Sequence, residues 1–223
     1  MSDAPPTTRD ATVDDWTRSL GEATGSPGGG AGAGVMLAIA ASLSSMVAGY
    51  TDAREGDESE LAAVLRRSRA LRDAALDLAD ADSEASQAFG AAFALPRGEA
   101  RDAAIREASI VAAETSAALG LRAVEAVDDL DWLAHHGNPS LVADVVVACG
   151  ALRAAIAGAR TNVSFDLGSL TSAGETLGQV RHANPSLWES VTTFDEALAR
   201  LDRLMAGVDA RAAPTDSAPA DSV

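Results

Sequence analysis

Ser26-Pro27-Gly28-Gly29-Gly30 runs directly into Ala31-Gly32-Ala33-Gly34-Val35-Met36-Leu37-Ala38-Ile39-Ala40-Ala41-Ser42-Leu43, and the 29 residues from Ala23 to Thr51 carry no charged side chain. In a chain of 223 residues with a formal charge of −16, such a segment must be withdrawn from water. Its length would span a bilayer, for which about 20 apolar residues suffice. Its composition points elsewhere: large aliphatic side chains are sparse, and the Gly, Ala and Ser between them gain little from lipid but let helices approach closely. The stretch reads as a central helix buried on most faces of a soluble bundle, with no membrane association expected. The opening Met1-Ser2-Asp3-Ala4-Pro5-Pro6 has neither the basic region nor the apolar core of a secretion signal, so a cytoplasmic location is expected.

Working outward, the rest of the chain is rich in Ala and Leu, with no alternating run bounded by turn residues, so the fold class is all-α, a multi-helix up-and-down bundle with two buried small-residue helices. Residues 1–11 form a polar arm expected to be flexible, 12–206 a single helical domain, and 207–223 a tail too small and polar to order. A first helix starts at Thr12, with Asp15 placed for a capping box, and ends near Gly21. The uncharged helix runs to about Thr51. A long third helix from Asp57 to Pro96 carries Leu61, Leu65, Ser68, Leu71, Ala75, Leu78, Asp82, Ala85, Phe89 and Phe93 at steps of three or four, which places one carboxylate, Asp82, on the inward stripe. A fourth helix spans Glu99 to His136. Gly137-Asn138-Pro139-Ser140 then supplies a stop, a cap and a first-turn proline for a fifth, the second buried helix, expected to end near Thr161. Residues Asn162 to Leu167 read as an irregular exit, followed by a weak helix at 174–183 and an amphipathic one from Pro185 to Ala206.

All 17 basic residues are arginine, and lysine is absent. An acidic surface without lysine suits a protein kept soluble in concentrated salt, so a halophilic source is expected. The same balance excludes a nucleic-acid partner, since no basic patch neutralises phosphates. Arg66, Arg67, Arg69 and Arg72 read as a solvated helix face among acids. Cys149, the single cysteine, reads as buried filler and not as a nucleophile.

Chemistry concentrates at a few points. From Leu133 to Leu152 the only formal charge is Asp144. If Asn138 caps that helix, Asp144 lies beyond the first turn, and a carboxylate dehydrated there needs a partner or a purpose. Either it bonds a hydroxyl or arginine of another helix, or it does chemistry. The Pro27-Gly28-Gly29-Gly30 loop offers backbone N–H groups at a helix start and allows close approach of a ligand, though it also serves as a plain turn. A Walker loop is excluded for want of lysine. His135 and His136, adjacent on a helix, point about 100° apart and have no Cys/His cluster around them, so no metal site is expected.

Several colinear segments resemble the cyclodeaminase/cyclohydrolase family of folate one-carbon metabolism. They are Pro27-Gly28-Gly29-Gly30 with Met46-Val47-Ala48-Gly49-Tyr50-Thr51, then Asp80-Ala81-Asp82-Ser83-Glu84-Ala85 ahead of Ala91-Ala92-Phe93-Ala94-Leu95-Pro96. Gly137-Asn138-Pro139 ahead of Val142-Ala143-Asp144-Val145 and Gly158-Ala159-Arg160-Thr161-Asn162-Val163 complete the set. The resemblance implies a homodimeric α-bundle with a reduced folate in a groove lined by the glycine loop and the buried helices, and cofactor-free chemistry. The reaction implied is hydrolysis of 5,10-methenyltetrahydrofolate to 10-formyltetrahydrofolate; the alternatives are ring closure of 5-formiminotetrahydrofolate with loss of ammonia, or a non-catalytic helical binding protein. The cyclohydrolase is favoured because no formiminotransferase segment shares the sequence. Asp144 or Asp82 would stabilise the cationic bridge and handle water, with Asn138 and Asn162 holding the pterin or the developing carbonyl. If the fifth helix is continuous, Asp144 and Asn162 stand about 27 Å apart, so they line a long groove or serve sites shared across a dimer. The chain departs from the family pattern at Ala31 and Ala143, where serine is usual, at Asp166, where asparagine is usual, and in its missing lysines.

Overall fold

The computed structural model describes residues 7–172 and 175–209, and every regular element among them is helical. Helix α1 spans Val13–Leu20, α2 Gly29–Gly49, α3 Glu58–Ala94, α4 Glu99–His136, α5 Val142–Ser172, α6 Leu177–Ala183 and α7 Pro185–Asp209, with a single 3-10 turn, Pro139–Leu141, before α5. Thr12 caps α1 by accepting from the Asp15 amide, as its spacing predicts. Asn138 caps the 3-10 turn by accepting from the Ser140 amide.

Helix α2 lies between α3 and α5, α5 lies between α2 and α7, and α4 packs behind all four. Small residues make this possible. A side-chain carbon at Gly34 would stand 2.7 Å from the Cβ and 2.9 Å from the Cα of Ala79, so α2 and α3 meet nearly backbone to backbone. Gly158 of α5 faces Ala33 of α2 in the same way, and Gly120 of α4 makes room for the ring of Phe194. Leu37, Val47, Leu130, Leu152, Ile156 and Phe194 fill the core between these seams. Two helices, α2 and the 3-10 turn with α5, are long and apolar enough to cross a bilayer. Neighbours cover most of α2, whereas α5 turns an uncharged outer face to solvent, with Val147 59% and Phe165 65% exposed.

Three sequence expectations are corrected. The fifth helix passes straight through 162–167 to Ser172, because Val163, Leu167 and Leu170 bury on the same face as Val145, Leu152 and Ile156 and continue the packing stripe. The weak helix begins at Leu177, with Thr176 and Gln179 forming a capping box; Gly174 lies outside the described residues, as do 1–6 and 210–223 of the two tails. Residues 7–11 are docked on α3: the Thr8 amide donates to Asp80, and Arg9 pairs with Asp73 and Asp77. Arg66, Arg67, Arg69 and Arg72 are exposed on α3, as expected, and Arg67 in addition donates at 2.6–3.3 Å to Asp129, an acid buried in α4. Cys149 is buried, as expected, and burial raises its thiol to about 11.

The backbone seam gives a direct test. Gly34→Ala must push α3 away and is expected to lose about 1–3 kcal/mol in denaturant unfolding. Gly90→Ala, at a helical position with open space around it, should instead gain about 0.5–1 kcal/mol.

Candidate functional site

Helix α3 runs antiparallel to α2, so Asp82 arrives beside the first turn of α2. Its carboxylate sits against Gly30, where any Cβ would overlap both oxygens; only glycine admits it. The Ser26 hydroxyl donates at 3.1 Å to the Ser83 carbonyl and ties the glycine loop to α3. Asp82 is 6% exposed. Burial raises its pKa, while the Ala31 amide and the Ser86 hydroxyl, at 3.5 Å, pull the other way by favouring the anion. The positive end of α2 acts in the same sense.

Beyond the start of α2, side chains of α3 and α5 approach one another. From α5 the Asp166 carboxyl comes into the field of Asp82. Asp166 is 8% exposed, and its carboxyl is pushed up to about 7, first by burial and then by the Asp82 charge. No described residue donates a hydrogen bond to it. One turn earlier on α5, Asn162 is half-buried and keeps its amide free of described partners. Phe89 and Phe165 close one side, with ring centroids 6.4 Å apart. A cleft of about 460 Å³ adjoins the loop on the α1 side, walled by Trp16, Ser26, Pro27, Ser83 and Glu84. The arrangement is a pair of buried acids beside glycine backbone, without a cation. Among the described residues no cluster of three metal-ligating side chains occurs.

The sequence candidates separate into two groups. Pro27, Gly28, Gly29, Gly30, Asp82 and Asn162 lie at one end of the bundle; Asn138 and Asp144 lie at the other. Asn138 is spent on structure, donating from its side chain to the Tyr50 carbonyl at 2.9 Å and from its amide to the Thr51 hydroxyl at 3.0 Å. Asp144 falls in the first turn of α5, not beyond it, because the 3-10 turn absorbs the residues after Asn138. It is half-buried and so keeps contact with water. Since α5 is continuous, Asp144 stands about 27 Å from Asn162 and about 33 Å from Asp166 within one subunit. Asp166 was not a sequence candidate; the signal for it was a lone acid between Thr161 and Gly174, masked by reading that segment as irregular.

The formiminotransferase-cyclodeaminase family model matches residues 12–178, which span every one of these site residues. The chain belongs to the formiminotransferase-cyclodeaminase family. The pig formimidoyltransferase-cyclodeaminase is 32% identical over 200 residues, covering 86% of this chain and 36% of that protein. The methenyltetrahydrofolate cyclohydrolase of Methylorubrum extorquens is 30% identical over 160 residues, covering 68% of this chain and 77% of that protein. The chain thus spans about a third of the length of the vertebrate relatives it matches. The crystal structure of formiminotetrahydrofolate cyclodeaminase from Thermotoga maritima superposes with a TM-score of 0.73 at 22% identity, covering 90% of this chain and 98% of that one, and shares the fold.

The raised Asp166 pKa sets the sign of a stability effect. Between the ordinary carboxylate value of 3.8 and about 7 the unfolded chain has lost a proton that the folded chain keeps, so stability falls as pH rises through that window. Asp166→Asn is expected to abolish roughly 3 kcal/mol of this pH-dependent loss, read as melting curves of both proteins that diverge from pH 4 to pH 8.

Proposed function

We propose that this chain catalyses one-carbon chemistry on a reduced folate at the glycine-capped end of the bundle, hydrolysing the amidinium bridge of 5,10-methenyltetrahydrofolate to 10-formyltetrahydrofolate. The observation that carries this reading is Asp82 buried against Gly30, with the buried Asp166 in its field and neither acid ion-paired to a described residue. Such a site repels anions and suits a substrate whose reacting carbon is flanked by nitrogens sharing a positive charge. Asp82 in its ionised form stabilises that charge and accepts the proton of the attacking water. Glycine at positions 28–30 lets a flat ring system approach the main chain, and the Asn162 amide is free to hold the oxygen that develops. The cyclohydrolase reaction is the leading reading, with ring closure of 5-formiminotetrahydrofolate and loss of ammonia as its sister.

We further propose that the active unit is a homodimer formed through the uncharged outer faces of α2 and α5. Met36 and Ile39 on α2 and Val147 and Phe165 on α5 leave these neighbouring faces apolar. Asp144 and Asp166 lie 22 residues apart, just over six turns, and so on nearly the same face of α5. A two-fold axis crossing α5 midway between them brings one subunit's Asp144 to the other's Asp166, which gives Asp144 a place in catalysis that its own subunit denies it.

In concentrated salt, the chain is expected to consume methenyltetrahydrofolate absorbance faster than the spontaneous rate. Asp82→Asn and Asp144→Asn should each lower kcat by at least about 10²-fold. Mixing the two variants after subunit exchange should restore activity, because one site of each mixed dimer is intact. Absence of turnover by the unmutated chain rejects the reaction; ammonia release from formiminotetrahydrofolate instead assigns the sister reaction; no rescue on mixing rejects the shared site.

A further inference from the structure

Asp166 is the one acid of the site for which the fold supplies no partner. Asp82 has the Ala31 amide, Ser86 and the positive end of α2; Asp166 has burial and a like charge. The charged groups around the pair offer no relief, and in the proposed dimer the other subunit's Asp144 brings a further carboxylate to Asp166, which raises its pKa in the same direction. Helix α2 contributes none, and α3 contributes Asp82 itself, with Glu84 exposed toward the α1 cleft. At the start of α4, Arg101 lies over the Phe93 ring and Arg106 pairs with Glu175. On α5 Arg160 is paired with Asp195 of α7. Two neighbouring buried carboxyls without a cation share one proton, and the helix end that favours the Asp82 anion leaves that proton on Asp166. A protonated carboxyl is a hydrogen-bond donor, and no described residue accepts from it.

We propose, on the footing of the folate reading above, that Asp166 works as a neutral acid whose O–H donates a hydrogen bond to the oxygen being added to the one-carbon unit. In the addition step the water oxygen bonds to the amidinium carbon, the C–N π pair returns to nitrogen and cancels its charge, and the water proton passes to ionised Asp82. In the collapse step the carbinol O–H proton leaves, its electron pair forms the formyl C=O, the C–N5 bond breaks and N5 takes the proton held on Asp82, which then accepts the carbinol proton and releases it to solvent. The Asp166 hydroxyl faces the oxygen through both steps and keeps its own proton. Ionised Asp166 would instead repel that oxygen. The site is therefore competent with one charge on the pair and impaired with two.

The test is a pH–rate profile of the full chain beside Asp166→Asn and Asp166→Ala. The unmutated protein should lose kcat as pH rises through about 7. Asp166→Asn, which donates at every pH, should keep kcat within a few-fold at pH 6 and lose the alkaline fall. Asp166→Ala should lower kcat by about 10²–10³-fold, the cost of one lost donor at a developing oxyanion. An alkaline fall that persists in Asp166→Asn overturns the proposal, even if Asp166→Ala fails to fold. Infrared difference spectra supply a readout independent of turnover: a protonated carboxyl band at pH 6, absent from Asp166→Asn and titrating near neutrality, supports the neutral acid. No such band overturns it. The band without folate turnover keeps the neutral acid, discards the folate reading and with it the donor role toward a folate oxygen.

Discussion

The approach of α2 to α3 at Gly30 and Gly34 is the constraint on which the rest of the structure depends. At Gly34 the two backbones touch through Ala79; one turn earlier the same closeness leaves room at Gly30 for a carboxylate and for nothing else. A side chain at either position would separate the helices, withdraw Asp82 from the end of α2, and open the core that Leu37 and Val47 fill. Packing and chemistry are thus one seam, read at successive turns.

Charge is distributed accordingly. Several arginines pair with aspartates on the surface, as Arg153 does with Asp202 and Arg200 with Asp128, and exposed pairs of this kind contribute little and weaken in salt. They leave the fold to be held by apolar burial, which concentrated salt does not screen. Arg67 with Asp129 is the exception, joining α3 to α4 across a buried acid. Asp82 and Asp166 are the reverse case: buried acids that form no ion pair with a described arginine. Burial raises both carboxyls above the ordinary carboxylate range, so the pair opposes stability, and a site that opposes stability while serving binding is a common feature of functional centres.

Much of this was legible in the sequence. Helix boundaries followed from caps and breakers, with Thr12, Gly137-Asn138-Pro139 and Asn184-Pro185 all marking real junctions. Asp82 was visible because a carboxylate on an apolar stripe breaks a 3.6-residue pattern. The course of α5 was not, because Asn162, Ser164 and Asp166 are poor helix formers, and only the burial of Val163, Leu167 and Leu170 against neighbouring helices overrides that preference. A fifth helix ending at Thr161 puts Asp166 in a loop, and only the packed structure shows the Asn138 side chain donating to the Tyr50 carbonyl.

The sequence by itself determined an all-helical chain, its uncharged central helix and the acid on the third helix's inner face, because composition and periodicity are local and survive without neighbours. Only the tertiary structure decided which polar groups meet. It joined Asp82 to Asp166 across 84 residues of chain and set Asp144 some 33 Å away along one rigid rod, since distance along a helix is fixed at about 1.5 Å per residue whatever the side chains might favour.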